Sequence, residues 1–341
     1  MKIGLVGYQG SGKSTLFQWL TGEPPDPAQS HKAQSAMCVV PEPRVEGLCE
    51  IYHPKKVTLA ALEIVDIPGL SRSHEGSAET LAMIRDAGCL VMVIAAFDDA
   101  DPAGDLSSFE EDLLIADLDI VSGRVERLRE QVKKPRPNRD ELQAELDALL
   151  PLREALEQGE RLHRLELTPE QQRITKSFQL FSEKPRLVIM NTSDVEEQPS
   201  RFESLTPAGT PTFAFSVSLE LELSGMDEAE RAAFCEEMQV QPCDRDRLIR
   251  AIMEQSGQIL FFTVGDKEVR TWMLRAGATA LEAAGNIHTD MAQGFIRAET
   301  MNVDDLLRLG SEREIKANNL LRQEPKDYVV QEGDVILVRH N

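Results

Sequence analysis

Gly7-Tyr8-Gln9-Gly10-Ser11-Gly12-Lys13-Ser14 fits the spacing G-x-x-x-x-G-K-[ST] and stands between an apolar run at residues 2–6 and the helix-like stretch Thr15-Leu16-Phe17-Gln18-Trp19-Leu20. Strand, glycine-rich loop and helix in that order form a phosphate-binding loop. Glycines at 7, 10 and 12 let the backbone wrap an anion, with the N–H groups of Gln9, Ser11 and Thr15 in the same stretch. Lys13 is the residue expected to reach the outer phosphates, and the Ser14 hydroxyl the one expected to ligate Mg²⁺.

Outward from this loop, short apolar runs recur at 62–66, 90–96 and 186–190, with helix-like spacing between them. The pattern predicts an α/β fold with a mostly parallel sheet and helices on both faces. The second run ends in Asp66, followed by Ile67-Pro68-Gly69. A carboxylate at a strand end with a glycine three residues on suits a metal ligand, Asp66, and a backbone donor to a γ-phosphate, Gly69. The catalytic set expected from this is Lys13, Ser14 and Gly69. Leu70 comes next, where many GTPases hold a glutamine that orients water, so slow intrinsic turnover is expected. The fourth run ends in Asn191-Thr192-Ser193-Asp194, near the Asn-Lys-x-Asp of guanine-specific proteins but with Thr192 for the lysine. Ser216-Val217-Ser218 falls where a further base-contacting loop is expected.

Between the third and fourth runs the spacing turns helical. Leu114, Leu118, Val121, Val125, Leu128 and Val132 form one seam, Pro135-Arg136-Pro137-Asn138 breaks it, and Leu142, Leu146, Leu149, Arg153 and Leu156 form a second. Two antiparallel helices zipped into a projecting hairpin are expected, the second weakened by Pro151 and by Arg153 in its seam. Residues 124–139 carry seven basic and two acidic side chains on a chain whose formal net charge is −21. That acidity excludes broad coating of a nucleic acid but leaves the basic tip, Lys133, Lys134, Arg136 and Arg139, as a phosphate-contacting candidate. From Gly257 onward strands are expected at 259–264, 269–274, 295–300, 327–330 and 335–339, with helices near 280–284 and 303–309. Residues 23–35, rich in Pro, Ala, Gln and Ser, suit a mobile loop. The five cysteines are scattered without a C-x-x-C pair and suit a reducing, cytoplasmic setting, and no run is long enough for a membrane span. The six histidines show no metal-like spacing.

Phe261-Phe262-Thr263-Val264-Gly265-Asp266-Lys267-Glu268-Val269-Arg270-Thr271-Trp272, Gly277-Ala278-Thr279-Ala280, Ala283-Ala284-Gly285-Asn286-Ile287-His288-Thr289-Asp290 and Gly294-Phe295-Ile296-Arg297-Ala298-Glu299, taken with the three nucleotide motifs, resemble the Obg-like ATPases of YchF type along the whole chain. The resemblance implies a G domain at 1–98 and 180–256, a helical coiled-coil hairpin inserted at 99–179, and a TGS module of β-grasp fold at 257–341. It also implies hydrolysis of ATP, in many members in preference to GTP, and association with the ribosome or its RNA. This chain departs from the family in several places. Asp194 replaces a usual glutamate, Gly10 a usual asparagine, residues 98–108 lack a histidine proposed to act in catalysis, and residues 29–36 lack the recognisable switch sequence, leaving Ser30 as a candidate hydroxyl. The expectation is a Mg²⁺-dependent switch that hydrolyses ATP or GTP; the competing one is a scaffold that binds nucleotide without hydrolysing it.

Overall fold

The computed structural model describes the chain except residues 73–76, 161, 163–164, 195–198 and 208, and leaves aside the side chains of 77, 199 and 203. The strands are β1 Lys2–Val6, β2 Gln34–Val39, β3 Val57–Thr58, β4 Ala61–Asp66, β5 Cys89–Ala96, β6 Arg186–Thr192, β7 Thr212–Phe215, β8 Gln258–Thr263, β9 Val269–Arg275, β10 Phe295–Asn302, β11 Arg322–Glu324 and β12 Asp334–His340. The helices that matter most are α1 Lys13–Thr21, α2 Arg44–Tyr52, α3 Ser77–Asp86, α4 Pro102–Val132 and α5 Arg139–Glu157. The chain divides into two compact units, Met1–Ala36 with Ile64–Cys243 and Met37–Glu63 with Asp244–Asn341.

In the first unit the strands expected from the apolar runs form, in a sheet of order β2-β4-β1-β5-β6-β7. The pairs β1–β5, β5–β6 and β6–β7 are parallel, with Leu5 opposite Val91 and Met92 opposite Val188. Every residue from Cys89 to Ile94 is buried, as a strand covered by helices on both faces requires. A parallel strand needs a crossover to reach its neighbour, and the crossover between β5 and β6 contains the hairpin.

That hairpin is built as expected. Val121, Val125 and Leu128 of α4 pack on Leu142, Leu146, Leu149 and Leu156 of α5, and Leu114, Leu118 and Val132 pack on the same cluster. One seam position differs: Leu152, not Arg153, is buried in the interface. Arg153 lies at its edge and pairs with Glu126 and Glu157. Pro151 sits inside α5 without ending it, because the leucine row on either side holds the helix against α4. At the hairpin's root Asp117, fully buried, accepts hydrogen bonds from the Phe181 and Ser182 backbone N–H groups at 2.9 and 2.7 Å, which fixes the return of the chain into β6.

The second unit is a mixed sheet of order β11-β10-β12-β8-β9-β3. Adjacent Phe261 and Phe262 of β8 are both fully buried, so the strand has a core on each face. Phe261 packs with Ala280, Ala283 and Ala284, and Phe262 with Leu48, Val303 and Leu306. Residues 327–330 are not the expected strand; they turn and leave a single bridge, Thr279–Val329. The Tyr328 hydroxyl bonds Asp334 instead, and the edge strand is β11, which pairs antiparallel with β10. The units also border differently from the expected division at 98, 179 and 256. Residues 37–63 join the C-terminal module because Val45 and Leu48 of α2 share the Phe262 core and β3 extends the sheet beside β9. The hairpin groups with the unit that carries the nucleotide motifs. Among the described residues no helix is long and apolar enough to cross a membrane.

Candidate functional site

In open parallel sheets ligands settle outside the carboxyl ends of the strands. Here β1 leads into the glycine loop, β4 ends at Asp66, β5 runs on to Phe97-Asp98, β6 ends in Asn191-Thr192, and β7 delivers Ser216. Sequence motifs separated by well over a hundred residues are thereby brought to one edge. Two clefts open there, one on each side of Gly10.

The first cleft, about 660 Å³, is lined by Gln9, Gly10, Lys13, Ser14, Asp66 and Gly69, with residues 25–34 across it. Lys13 begins α1, is almost wholly buried, and donates from Nζ to the Tyr8 carbonyl at 2.7 Å. Burial pushes its ammonium down to about 8, a fall that the Asp66 carboxylate partly offsets. The Ser14 hydroxyl donates to Asp66 Oδ2 at 2.6 Å, while Asp66 Oδ1 is buried with no hydrogen-bond partner among the described residues. Burial raises the Asp66 carboxyl above its ordinary range, opposed by Ser14 and Lys13. Gly69 abuts the glycine loop so closely that a Cβ there would lie 2.6 Å from the Gln9 nitrogen. The facing loop is fastened by its own side chains rather than left slack. Asp26 receives the Ala28 N–H and the Gln29 amide, and the Gln34 amide clasps both the N–H and the carbonyl of Asp26. Ser30, His31 and Lys32 also line the cleft. His74 and His163 lie outside the described residues, and among the described residues no cluster of His, Cys, Asp or Glu could hold a metal alone.

The second cleft, about 400 Å³, is lined by Gly10, Gly12, Thr15, Phe97, Asp98, Asn191, Thr192, Ser193, Asp194 and Ser218. Asn191 has a part its motif does not reveal. Its Nδ2 donates to the Ser11 carbonyl and its Oδ1 accepts from the Val217 N–H, each at 3.0 Å. The amide thus braces the glycine loop against the start of the helix Val217–Ser224. Gly12 explains why the brace fits: its φ is +98°, and a Cβ would stand 2.3 Å from Asn191 Nδ2. Asp194 accepts from Ser216 Oγ, which also caps that helix through the Leu219 N–H at 3.2 Å and meets Ser218 Oγ at 3.1 Å.

Of the expected site residues, Gly7, Ser11, Ser216 and Val217 stand behind the clefts rather than in their walls, and Ser11 Oγ is buried with no partner among the described residues. Phe97 and Asp98 line the second cleft without belonging to any motif; their signal in the sequence is position, directly after an apolar strand run. A polyphosphate at this loop is expected to bind with a pH dependence set by Lys13. An anion stabilises the ammonium, so binding takes up a proton above about pH 8. Affinity should then fall about tenfold per pH unit, a trend that Lys13→Met removes. Calorimetric titration with MgADP from pH 7 to 9.5 reads it directly, and a flat wild-type profile would contradict it.

A family described as a 50S ribosome-binding GTPase matches residues 2–134, and the C-terminal family of YchF GTPases, described as a protein of unknown function, matches residues 258–341. Ribosome-binding ATPase YchF of Bacillus subtilis is 33% identical over 371 residues, covering 100% of this chain and 99% of its own. Obg-like ATPase 1 of Oryza sativa subsp. japonica is 34% identical over 367 residues, covering 100% of this chain and 92% of its own. The solved YchF GTPase of Schizosaccharomyces pombe superposes with a TM-score of 0.87 at 26% identity, over 99% of this chain and 97% of that one. Identity at this level along the whole of this chain and at least 92% of both relatives, on the same fold, means that the chain belongs to the Obg-like ATPase family of YchF type.

Proposed function

We propose that the chain is a Mg²⁺-dependent nucleoside triphosphatase that works as a nucleotide-dependent switch on the ribosome, with a G domain, an inserted hairpin and a C-terminal TGS module. The observation that carries this reading is the convergence of Lys13, Ser14, Asp66 and Gly69 on one wall of one cleft, at the N-terminus of α1. The relatives' names supply the ribosome: those of Bacillus subtilis and Escherichia coli O157:H7 are ribosome-binding ATPases.

The donor set suits Mg²⁺. A hydroxyl and a carboxylate stand within hydrogen-bond distance, and the second carboxylate oxygen is buried and unpaired among the described residues, which is costly without a cation. Ser14 and Asp66 would hold the ion, Asp66 commonly through water. When bound, the ion neutralises charge on the β- and γ-phosphates. The chain's own residues do the rest. Lys13, anchored on the Tyr8 carbonyl, keeps two donors for phosphate oxygens. Gly10, Gly12 and Thr15 offer backbone N–H groups, and the Gly69 N–H meets the γ-phosphate; the Gln9 and Ser11 N–H groups, expected as donors too, are given to the Leu70 and Tyr8 carbonyls at 3.2 and 3.4 Å, and Gly7 lies behind the cleft. Leu70 is buried and apolar, so it cannot orient the attacking water and turnover is slow.

For the base, Asn191 is committed to bracing. Asp194, with Thr192, Ser216, Val217 and Ser218 around it, is the acceptor left to read an edge. A carboxylate favours guanine, which presents adjacent N–H donors, whereas the relatives' names favour ATP. Titration of nucleotide-free protein with MgATP and MgGTP, followed by single-turnover phosphate release, tests the whole reading. Binding of either with release above the protein-free rate is expected. Tighter GTP binding that Asp194→Asn abolishes assigns the base to Asp194. Binding without release would favour the scaffold.

A further inference from the structure

Tyr8 is a side chain of the glycine loop that nucleotide chemistry leaves unused. Tyr8 is 6% exposed, and its hydroxyl donates to Asp112 Oδ2 on α4 at 2.9 Å. Its ring meets Phe109 of the same helix edge-on, with centroids 5.5 Å apart. Arg72, just past Gly69, places its guanidinium 5.4 Å from the centre of that ring and reaches both oxygens of Asp105 at 2.8 and 2.6 Å. Asp105, Phe109 and Asp112 are spaced by four and three, on one face of α4. Burial and the Asp112 carboxylate push the Tyr8 phenol well above its ordinary range, so the hydroxyl stays a donor across physiological pH.

The backbone of Tyr8 is tied just as closely to the phosphate site. Its carbonyl accepts from Lys13 Nζ at 2.7 Å. Leu70 flanks it, donating to the Gly7 carbonyl at 3.1 Å and accepting from the Gln9 N–H at 3.2 Å. A Cβ on Gly69 would stand 2.8 Å from the Tyr8 carbonyl carbon, so no slack separates Gly69 from the Tyr8–Gln9 peptide. Close-packed groups transmit displacement rather than absorb it.

We propose that Tyr8 is the positioning residue through which the γ-phosphate site and the helical hairpin set one another's state. The inference rests on the nucleotide-binding reading above and adds its regulation. A γ-phosphate that draws on the Gly69 N–H displaces the Tyr8–Gln9 peptide. The Tyr8 hydroxyl and ring pass the shift to Asp112 and Phe109, and Arg72 passes it in parallel to Asp105. α4 is one helix of 31 residues, so a change at Asp112 is carried about 30 Å to the tip. Linkage makes the coupling mutual: a partner that holds the tip in one state changes nucleotide affinity by the same factor.

Amide hydrogen exchange on the full chain tests this, with MgADP against the Mg²⁺ complex of a β,γ-imido triphosphate of adenosine or guanosine. In the wild type, hairpin amides over 113–157 should exchange at rates about fivefold apart between the two nucleotides. Tyr8→Phe keeps the ring and removes one hydroxyl; Asp112→Ala removes its acceptor from the helix side. In both variants glycine-loop amides should stay protected by either nucleotide, while the hairpin difference shrinks below about twofold. Exchange elsewhere serves as the check on folding. A variant that keeps the wild-type hairpin difference overturns the proposal, as does a wild type that lacks one while its glycine loop is protected. A glycine loop that no nucleotide protects overturns the nucleotide-binding reading itself, and the inference with it.

Discussion

Lys13→Ala is expected to lower single-turnover phosphate release by about 100- to 1,000-fold, the range for losing one preorganised donor to transferring charge. The surroundings of Lys13 suit the proposed role. Its stem is buried, its Nζ is anchored on the Tyr8 carbonyl, and the nearby Asp66 carboxylate partly offsets the fall that burial imposes on its ammonium. The folded state should tolerate the change. The lost hydrogen bond is worth about 1 kcal/mol net, and removing a buried ammonium relieves a desolvation cost of the opposite sign. Thermal unfolding of the variant without nucleotide should therefore stay near the wild-type midpoint while release collapses. Undiminished release would remove Lys13, and with it the glycine loop, from the site. A collapse accompanied by a large fall in the midpoint would assign Lys13 a structural part instead.

The wall of the first cleft was legible because its residues are local in sequence. The glycine loop is contiguous, and Asp66 and Gly69 follow one strand, so spacing alone placed them on the wall they share. The second cleft was legible only in part. Asn191 resembles a reader, yet its partners, the Ser11 carbonyl and the Val217 N–H, lie 180 and 26 residues away, and no local pattern records a brace of that kind. The fastening of Asp26 by Gln34 was hidden differently. Its Pro, Ala and Gln content suits a mobile segment, whereas the bonds that close it are between side chains and backbone. In the hairpin, a four-three alternation carried one step too far put Arg153 in the seam; the helix turns by 3.6 residues, so the next inward position is Leu152. In the C-terminal module, β3 is two residues long, too short for any periodicity, and it belongs to a sheet whose other strands begin at residue 258.

Charge reversal at the hairpin tip is the second large effect expected, and the structure changes which residues should carry it. The sequence counts seven basic side chains over 124–139, but several are already satisfied. Arg124 is gripped by both oxygens of Glu145 on α5 at 2.7 and 2.6 Å, Arg129 by Glu126 at 2.9 Å and Lys133 by Glu130 at 2.6 Å. Arg127, Lys134, Arg136 and Arg139 are exposed and form no ion pair among the described residues; Arg127 spends its Nε on the Gly123 carbonyl of its own helix at 3.0 Å, and the other three, at the turn of the hairpin, are the tip cations a phosphate backbone would meet first. Lys134→Glu, Arg136→Glu and Arg139→Glu together should weaken co-sedimentation with ribosomes about a hundredfold, taking about 1 kcal/mol per lost contact. The slope of log affinity against log salt should flatten by about 2 to 3, the counterions no longer released. Lys133→Glu alone is the internal control. Its partner Glu130 already neutralises it, so its effect should be several-fold smaller than that of Lys134→Glu. Equal effects from the two single variants would mean that net charge near the tip matters and the ion pairs do not. Unchanged binding and slope in the triple variant would make the tip a solvated helix end, and would leave the C-terminal module as the surface to test for ribosome contact.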